Sequence, residues 1–390
     1  MEWKQASVTE DGVSIPERWV HLHYYEAFNL LFRIENALRM FVYLVLKTRL
    51  RDKWADAQVL GEDEQGTLAS LAKLRMARAQ TFGYLGHQIA CPIMHLNSGE
   101  LTRLIVSDSY WRLFKPWFHG SKDIIKNKLD EVGSIRNSLA HFRPIRRDDV
   151  EVLKQNSKHV LLGIEQFFNQ ALAQSDVVPT NTEEDWYRNL VSLKGDYCTL
   201  SFQQSPDGQW IRVEIKYVCP VINRQFYGDA YRTYAALTIR SSAALALLPG
   251  IVRNVCYLAE TVHYPRMLMN GDAEFRKVLS LVLCRSVLES SQTELGDSVR
   301  DLLDRVDEET ELILHDHLAR GQLVHTDSVT AIRDGNGWRW SYHTLKTPVL
   351  ESDPPEYWGD LQFDFPNDLI AATAKYPWMP DSISTEESPF

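Results

Sequence analysis

The chain has 390 residues, with 42 lysines and arginines, 52 aspartates and glutamates, and a formal net charge of −10 at pH 7. This length allows two or three domains with their own cores, and an acidic chain overall is a poor non-specific nucleic-acid binder. The first 178 residues hold 23 of the basic and 21 of the acidic residues, so the excess negative charge lies in the remainder. If nucleic acid binds, we expect the N-terminal half to hold it.

Cysteine usage and hydropathy indicate a soluble, cytoplasmic protein. The five cysteines are widely spaced, which is typical of reduced thiols. Residues 1–20 are polar and predict no signal peptide, and the longest apolar runs, 41–46 and 243–252, are too short to span a membrane. The sequence contains no phosphate-binding P-loop string, no dinucleotide-binding glycine fingerprint and no serine nucleophile elbow.

A long first helix is predicted from about Glu17 to Trp54. Its apolar residues step by three and four and mark a buried seam: Leu31, Ile34, Leu38, Phe41 and Val45. Beside the seam, Glu35 and Arg39 are four residues apart and form a helical ion pair. We favour an exposed bridge of small energy. The alternative is that Glu35 faces Arg136 or orients His141.

A second helix is predicted from Thr67 to about Ala90. Continued past its end, it would place His87, Cys91 and His95 at steps of four, and these are metal-ligand residue types. Pro92 lies inside the run, and the sequence shows no fourth ligand or second carboxylate. We therefore favour packing roles for these side chains and expect no metal.

The most informative stretch lies on a helix predicted from Gly120-Ser121 to about His141. The apolar residues of this helix step by four, three and seven along one face: Ile125, Leu129, Val132 and Leu139. The position that completes the stripe is occupied by Arg136. A cation on a face that meets the core is costly unless another group pairs with it.

The motif on this helix is Arg136-Asn137-Ser138-Leu139-Ala140-His141, followed by Phe142-Arg143-Pro144. Arginine offers a planar cationic fork to phosphate oxygens, and histidine exchanges a proton near neutral pH. Asn137 and His141 share one helical face, whereas Arg136 and His141 lie about 140° apart around an ideal helix. One helix therefore does not aim both side chains at one atom, but two copies meeting about a two-fold axis could supply one cleft.

This motif resembles that of the HEPN family, whose members share an all-helical domain and an arginine followed, four to six residues later, by a histidine. Asn137 fits the family pattern, and the tail 140–144 resembles the Abi-like branch of bacterial defence and abortive-infection proteins. The segment from Tyr25-Glu26-Ala27-Phe28 to Lys53-Trp54 is similar to the first helix of that branch. Ser109–Phe114 is similar to its middle helix–turn segment, and the whole resemblance covers residues 15–175.

The resemblance implies a metal-independent endoribonuclease without a cofactor, acting as a homodimer through its helical domain in anti-phage defence. It implies that the 2′-hydroxyl of the RNA attacks, that His141 transfers the proton and that Arg136 stabilises the phosphate. Asn137 would then hydrogen-bond the imidazole or the phosphate, and the basic cluster Arg143, Arg146 and Arg147 would follow the RNA backbone.

Two alternatives from other functional classes stay open. One is a catalytically silent HEPN-like module that binds RNA or a partner protein. The other is a structural homodimer whose acidic half recruits a defence partner. In the first alternative, the protein shifts RNA in a gel without shortening it.

The last helix of the first half is predicted from Asp149 to about Ala173, with Asp148 and Glu151 as its capping box. Its candidate core residues share one face: Val152, Leu161, Ile164, Phe167 and Phe168. The polar stretch 175–184 lacks periodicity and is the predicted domain boundary.

The second half is predicted as α+β. Two hairpins are expected, 197–202 with 210–218 and 323–332 with 338–345, and three helices, 229–264, 272–290 and 297–320. The predicted fold class is multidomain, with an all-α HEPN-like bundle over 15–176, an α+β domain over 185–379 and a mobile tail over 380–390. We expect the α+β domain to control the ribonuclease by sensing a trigger, binding a defence-system partner or occluding the cleft.

Overall fold

The computed structural model describes residues 7–9, 12–14, 24–60, 65–82, 91–141, 143, 145–269, 271–316 and 320–361. Within these residues the fold combines helices and β-sheets, in agreement with the predicted mixed architecture. Several predicted features lie outside the described residues, namely 17–23 of the first helix, His87 and the tail over 380–390.

The first half is mainly helical. Its described helices are α1 (Tyr24–Leu50), α2 (Leu68–Phe82), α3 (Ser98–Ile105), α4 (Trp111–Phe114), α5 (Lys122–Ala140) and α6 (Arg147–Leu172). Short 3₁₀ turns lie at Arg51–Asp56, Pro92–His95 and Lys115–Trp117. Two small hairpins accompany them, β1 (Ser7–Thr9) with β2 (Gly12–Ser14), and β3 (Gln58–Leu60) with β4 (Gln65–Thr67).

The β3–β4 hairpin lies inside the region predicted as all-helical. Its strands are only three residues long, and Val59 at its centre is fully buried. Strands this short carry too few residues to show an alternating pattern in the sequence. The first half is therefore predominantly helical but contains a sheet element that the sequence analysis missed.

Helix α1 is the central element of the first half. The predicted seam is buried, since Leu31, Ile34, Leu38, Phe41 and Val45 are each at most 6% exposed. Every side chain from 40 to 46 is also buried, so α1 is covered on more than one face. α3, α5 and α6 pack on α1 from the first half, and elements of the second half cover the rest.

The second half begins with β5 (Asp176–Val177) and α7 (Asp185–Val191). Its strands continue as β6 (Cys198–Gln204), β7 (Trp210–Cys219), β8 (Val221–Tyr227), β9 (Tyr231–Ile239), β10 (Tyr257–Val262), β11 (Arg266–Met267), β12 (Ala273–Cys284), β13 (Val324–Asp334), β14 (Gly337–Trp340) and β15 (Tyr357–Gly359). Its other helices are α8 (Ser241–Leu247), α9 (Pro249–Asn254), α10 (Arg285–Ser290) and α11 (Gln292–His315).

These strands form two sheets. The larger has the order β15-β10-β12-β7-β6-β5, with β11 paired to β12, and the smaller has the order β14-β13-β9-β8. Both predicted hairpins are present, and α11 matches the third predicted helix. The continuous helices predicted over 229–264 and 272–290 are wrong. Only α8 and α9 are helical in the first range, between β9 and β10, and β12 occupies most of the second. Buried strands carry continuous apolar runs, which periodicity alone does not separate from helices.

The two halves share a hydrophobic core. Trp210 and Tyr257 of the larger sheet belong to the same buried cluster as α1 and α6. The Tyr257 hydroxyl donates to the Ala171 carbonyl at 2.7 Å, and the Tyr43 hydroxyl donates to the Cys256 carbonyl at 2.7 Å. The polar stretch 175–184 therefore separates the halves in sequence, while their side chains pack as one body. No helix in the described part of the chain is long and apolar enough to cross a bilayer.

Candidate functional site

The motif helix forms as the sequence predicts. The Ser121 hydroxyl accepts a hydrogen bond from the Ile124 amide at 3.4 Å and caps α5, and His141 occupies the capping position at the other end. The apolar stripe is buried, with Ile125, Leu129, Val132 and Leu139 at most 5% exposed. This burial fixes the rotation of α5 and therefore the direction in which the motif residues project.

Arg136 receives the counter-charge that its place on the seam requires. Its Nε lies 4.0 Å from Oε2 of Glu35 on α1, and its side chain is 39% exposed. Glu35 also accepts a hydrogen bond from the Ser98 hydroxyl at 2.7 Å and from the Arg39 guanidinium. One carboxylate is thus shared by two arginines and a hydroxyl, which holds Arg136 while leaving net positive charge beside it.

The Glu35–Arg39 pair is not the exposed bridge that we favoured from the sequence. The side chains are 15% and 13% exposed, and Arg39 also donates to the Leu96 carbonyl at 3.1 Å. Burial lowers the pKa of the Arg39 guanidinium from its ordinary value, and the nearby Glu35 carboxylate opposes that shift. The interpretation that placed Glu35 opposite Arg136 matches the described geometry.

Arg136 and Asn137 line a cleft of about 800 Å³ between α2, α3 and α5, which we call the basic cleft. It is defined by the five cations that line it among the described residues: Arg75, Arg78, Arg103, Lys126 and Arg136. Two carboxylates, Glu100 and Asp130, also line it. Among the described lining residues the cations therefore outnumber the carboxylates, a charge balance that favours an anion over a cation.

Glu100 offsets part of this charge, because it is paired with Arg75, one of the five cations. The Arg75 guanidinium donates to both carboxylate oxygens of Glu100, at 2.8 and 2.5 Å, and Glu100 is 3% exposed. Burial alone would raise the pKa of the Glu100 carboxyl. The hydrogen bonds from Arg75 and from the Asn97 amide outweigh burial and leave that pKa below its ordinary value.

The remaining motif residues lie elsewhere on the surface of one chain. His141 is exposed at the end of α5 and does not line the basic cleft in the described residues. Arg143, Arg146 and Arg147 are exposed on the following loop and at the start of α6, also outside the cleft lining. One chain thus brings together Arg136, Asn137, Glu35 and Arg39, but does not add His141 or the basic cluster.

The start of α6 corrects two further predictions. The helix begins at Arg147, and its capping contact runs from the Arg146 amide to Oδ2 of Asp149 at 2.7 Å, not from Asp148 to Glu151. Val152 is 39% exposed, whereas the other predicted core residues of α6 are buried. The observed cap is two residues earlier in the chain, because Asp149 rather than Glu151 reaches back to an unpaired amide.

Sequence reasoning did not single out Arg75, Arg78, Arg103 or Lys126. Lys126 lies on α5 ten residues before Arg136, whereas Arg75, Arg78 and Arg103 come from α2 and α3, which no local spacing relates to Arg136. The only local signal was the pair Arg75 and Arg78, three residues apart on α2 and therefore on neighbouring positions of its surface. Their convergence is a property of the tertiary fold.

The metal interpretation of Cys91 and His95 loses its structural basis. The described part of α2 ends at Phe82, and Cys91 has an extended backbone before the 3₁₀ turn Pro92–His95, so the two residues do not continue one helix. Cys91 is buried, and burial raises the pKa of its thiol. Within the described residues, no group of three or more His, Cys, Asp or Glu side chains could hold a metal ion.

Comparison with protein-family models, curated proteins and solved structures finds no match for this chain. Function is therefore inferred from the residues and their geometry.

Proposed function

We propose that this chain is a metal-independent endoribonuclease of the HEPN type, with its catalytic site on an HEPN-like helical unit. The observation that carries the proposal is the placement of Arg136 by Glu35 at the wall of the basic cleft. A partly exposed guanidinium beside four further cations is suited to a phosphodiester. The exposed His141 at the end of the same helix supplies an imidazole that can take or give a proton.

In the proposed reaction, the 2′-oxygen of the RNA attacks the adjacent phosphorus and the bond from phosphorus to the 5′-oxygen breaks. The products are a 2′,3′-cyclic phosphate and a 5′-hydroxyl. The proposed step therefore uses no water molecule as a reactant and requires no metal ion. His141 takes the 2′-hydroxyl proton or gives a proton to the leaving 5′-oxygen. Arg136 stabilises the negative charge that develops on the phosphate oxygens.

The proposal requires two chains. On α5, Ser134, Asn137 and His141 are spaced by three and four residues and lie on one partly exposed strip, facing away from the buried apolar stripe. A second copy docked along this strip would bring its His141 toward the first chain's cleft. The homodimer is thus part of the mechanism, because one chain alone separates the arginine from the histidine.

Glu35 and Arg39 act as positioning residues in this proposal. Glu35 restricts the orientation of Arg136, and the hydrogen bonds from Ser98 and Arg39 restrict Glu35. A pre-oriented guanidinium loses less freedom when phosphate binds. Arg39 also offsets the carboxylate charge, which would otherwise weaken the attraction of Arg136 for phosphate.

Incubating the purified chain with labelled tRNA and total RNA tests the proposal. Wild type should cut RNA with or without EDTA, leave DNA intact and produce ends that carry a cyclic phosphate. Arg136→Ala and His141→Ala should each abolish cleavage. Loss of cleavage in EDTA, or full cleavage by both variants, would exclude this mechanism.

A second candidate is a module that binds RNA without cutting it. It is favoured by the position of His141, which lies outside the basic cleft of one chain. Such a module would retard RNA in a gel without shortening it, and the His141→Ala variant would behave like wild type.

A role in anti-phage defence belongs to the same proposal, with the second half as the place where a trigger or defence-system partner acts. The described residues lining the basic cleft all lie between 75 and 137, so the described second half does not cover it. Control would therefore act on dimer formation or on the shared core. Phage challenge of bacteria expressing wild type or His141→Ala tests the role, with survival of the culture as the readout.

A further inference from the structure

The basic cleft extends well beyond Arg136. Arg75 and Arg78 line it from α2, Arg103 from α3 and Lys126 from α5, and the side chain of Lys126 is 49% exposed. Arg75 pairs with Glu100, and Lys126 pairs with Asp130 at 2.7 Å on the same helix. The pair between Lys126 and Asp130 is exposed, and exposed ion pairs within one helix are weak. A phosphate group can therefore compete with Asp130 for the lysine.

The α3 wall adds to the positive potential. The first turn of α3 lines the cleft with Ser98 and Gly99, and a capping box between Asn97 and Glu100 closes this end of the helix. A Cβ at Gly99 would lie 3.7 Å from Nη1 of Arg103, so this stretch of backbone runs directly beside that guanidinium. The positive charge of this wall therefore comes from the Arg103 side chain.

The chemistry of the lining selects the kind of anion. Among the described lining residues none is aromatic, and Leu129 is the only large apolar one. A mononucleotide site needs an apolar or aromatic surface for the base, whereas a nucleic-acid backbone is held through its phosphates alone. A volume of about 800 Å³ lined by polar groups fits a short stretch of extended strand.

We propose that the basic cleft holds the single-stranded RNA that flanks the cut phosphate, with Arg78, Arg103 and Lys126 contacting successive phosphates next to the one held by Arg136. The inference rests on the proposed function for the identity of the strand. It adds a binding track on the α2–α3 side of the motif, distinct from the exposed cluster Arg143, Arg146 and Arg147.

Gly133 offers a direct way to change the charge of the cleft. It lies in α5 on the cleft wall, and a Cβ built there meets nothing within 4 Å. Lys, Gln and Glu have similar helix propensities, all higher than that of Gly. The substitutions Gly133→Lys, Gly133→Gln and Gly133→Glu therefore place positive, neutral or negative charge in the cleft with similar effects on the helix.

Binding is measured in the His141→Ala background, so that RNA stays intact, by fluorescence anisotropy of a labelled single strand over a range of salt concentrations. Relative to Gly133→Gln, we expect Gly133→Glu to weaken binding about tenfold and Gly133→Lys to tighten it severalfold. Arg103→Gln should weaken binding and reduce the salt slope by about 0.7, the value for one phosphate contact on a single strand. Arg300→Gln, on the exposed surface of α11, is the matched control and should change neither quantity.

Equal affinities across the three Gly133 variants, with melting temperatures unchanged, would overturn the binding track. Displacement of the RNA by a nucleoside triphosphate at micromolar concentration would also overturn it, because the site would then be a mononucleotide pocket. If RNA affinity follows the charge at position 133 but wild type cuts no RNA, the proposed function fails and the RNA-binding track stands. If wild type cuts RNA but the three Gly133 variants bind RNA equally, only the binding track fails.

Discussion

The buried ion pair between Lys47 and Glu356 joins the helical half to the second half. Its charged atoms are 2.5 Å apart, and the side chains are 2% and 4% exposed. Lys47 Nζ also donates to the Val252 carbonyl at 2.8 Å. We predict that Glu356→Gln destabilises the folded chain by about 3–5 kcal/mol, because it leaves the lysine charge buried without its carboxylate.

The size of the effect follows from two opposing terms. At 2.5 Å and an effective dielectric constant of 20, the attraction within the pair is about 7 kcal/mol. Desolvation costs several kcal/mol for each ion, so the intact pair contributes little net stability. Removing one partner deletes the attraction but keeps the other ion's desolvation, whereas Lys47→Met combined with Glu356→Leu removes both terms. The double variant should therefore lose only about 0–2 kcal/mol.

Urea unfolding of the full chain, followed by tryptophan fluorescence, measures these free energies. Lys47→Met and Glu356→Leu are also measured singly, and the sum of their losses should exceed the loss in the double variant by at least about 2 kcal/mol, which is the coupling energy. Arg300→Gln removes an exposed pair and should shift stability by less than about 0.5 kcal/mol. Single losses below about 1 kcal/mol, or losses that simply add in the double variant, would refute the reasoning.

Three further predictions concern the first half. Glu100→Gln should destabilise the chain by about 1–3 kcal/mol at pH 7. In the folded chain the pKa of Glu100 lies below its ordinary value of 4.5. The stability difference from wild type, measured by urea melts over a pH series, should therefore vanish as the pH falls through that folded pKa. Gly163→Ala should cost about 2–4 kcal/mol in thermal unfolding, since its Cβ would overlap the Trp117 carbonyl oxygen, and an unchanged Tm would contradict the packing of α6. Glu35→Gln should lower kcat for RNA cleavage about tenfold with a smaller change in KM, because Arg136 loses its orienting charge; equal effects on both constants would count against a positioning role.

The shared core also determines how control by the second half can be tested. A fragment ending near residue 178 would expose the faces of α1 and α6 that pack on Trp210 and Tyr257. It would also leave Lys47 without Glu356. Higher activity of such a fragment would therefore not distinguish released control from disrupted packing, and substitutions in the full chain are the better probe.

Local patterns along the chain predicted the motif helix and its rotation. The stripe Ile125, Leu129, Val132 and Leu139 is buried as its spacing required, and the same spacing placed Arg136 on the seam. The position of Arg136 on the seam also indicated that this arginine needed a counter-charge. One of the two interpretations of Glu35 placed its carboxylate opposite Arg136. Such patterns succeed because a half-buried helix must repeat its apolar residues every three or four positions.

The sequence by itself determined the helix with its arginine and histidine, the apolar seam of α1 and the hairpins of the second half, because each is written in residues close together along the chain. Only the tertiary structure decided that Arg75, Arg78 and Arg103 line one cleft with Lys126 and Arg136, since α2 and α3 are separate helices whose packing on α5 is set by side chains far apart in sequence. Tertiary packing also decided that the apolar runs of β9 and β12 are strands, because a segment buried on both faces shows no period to read.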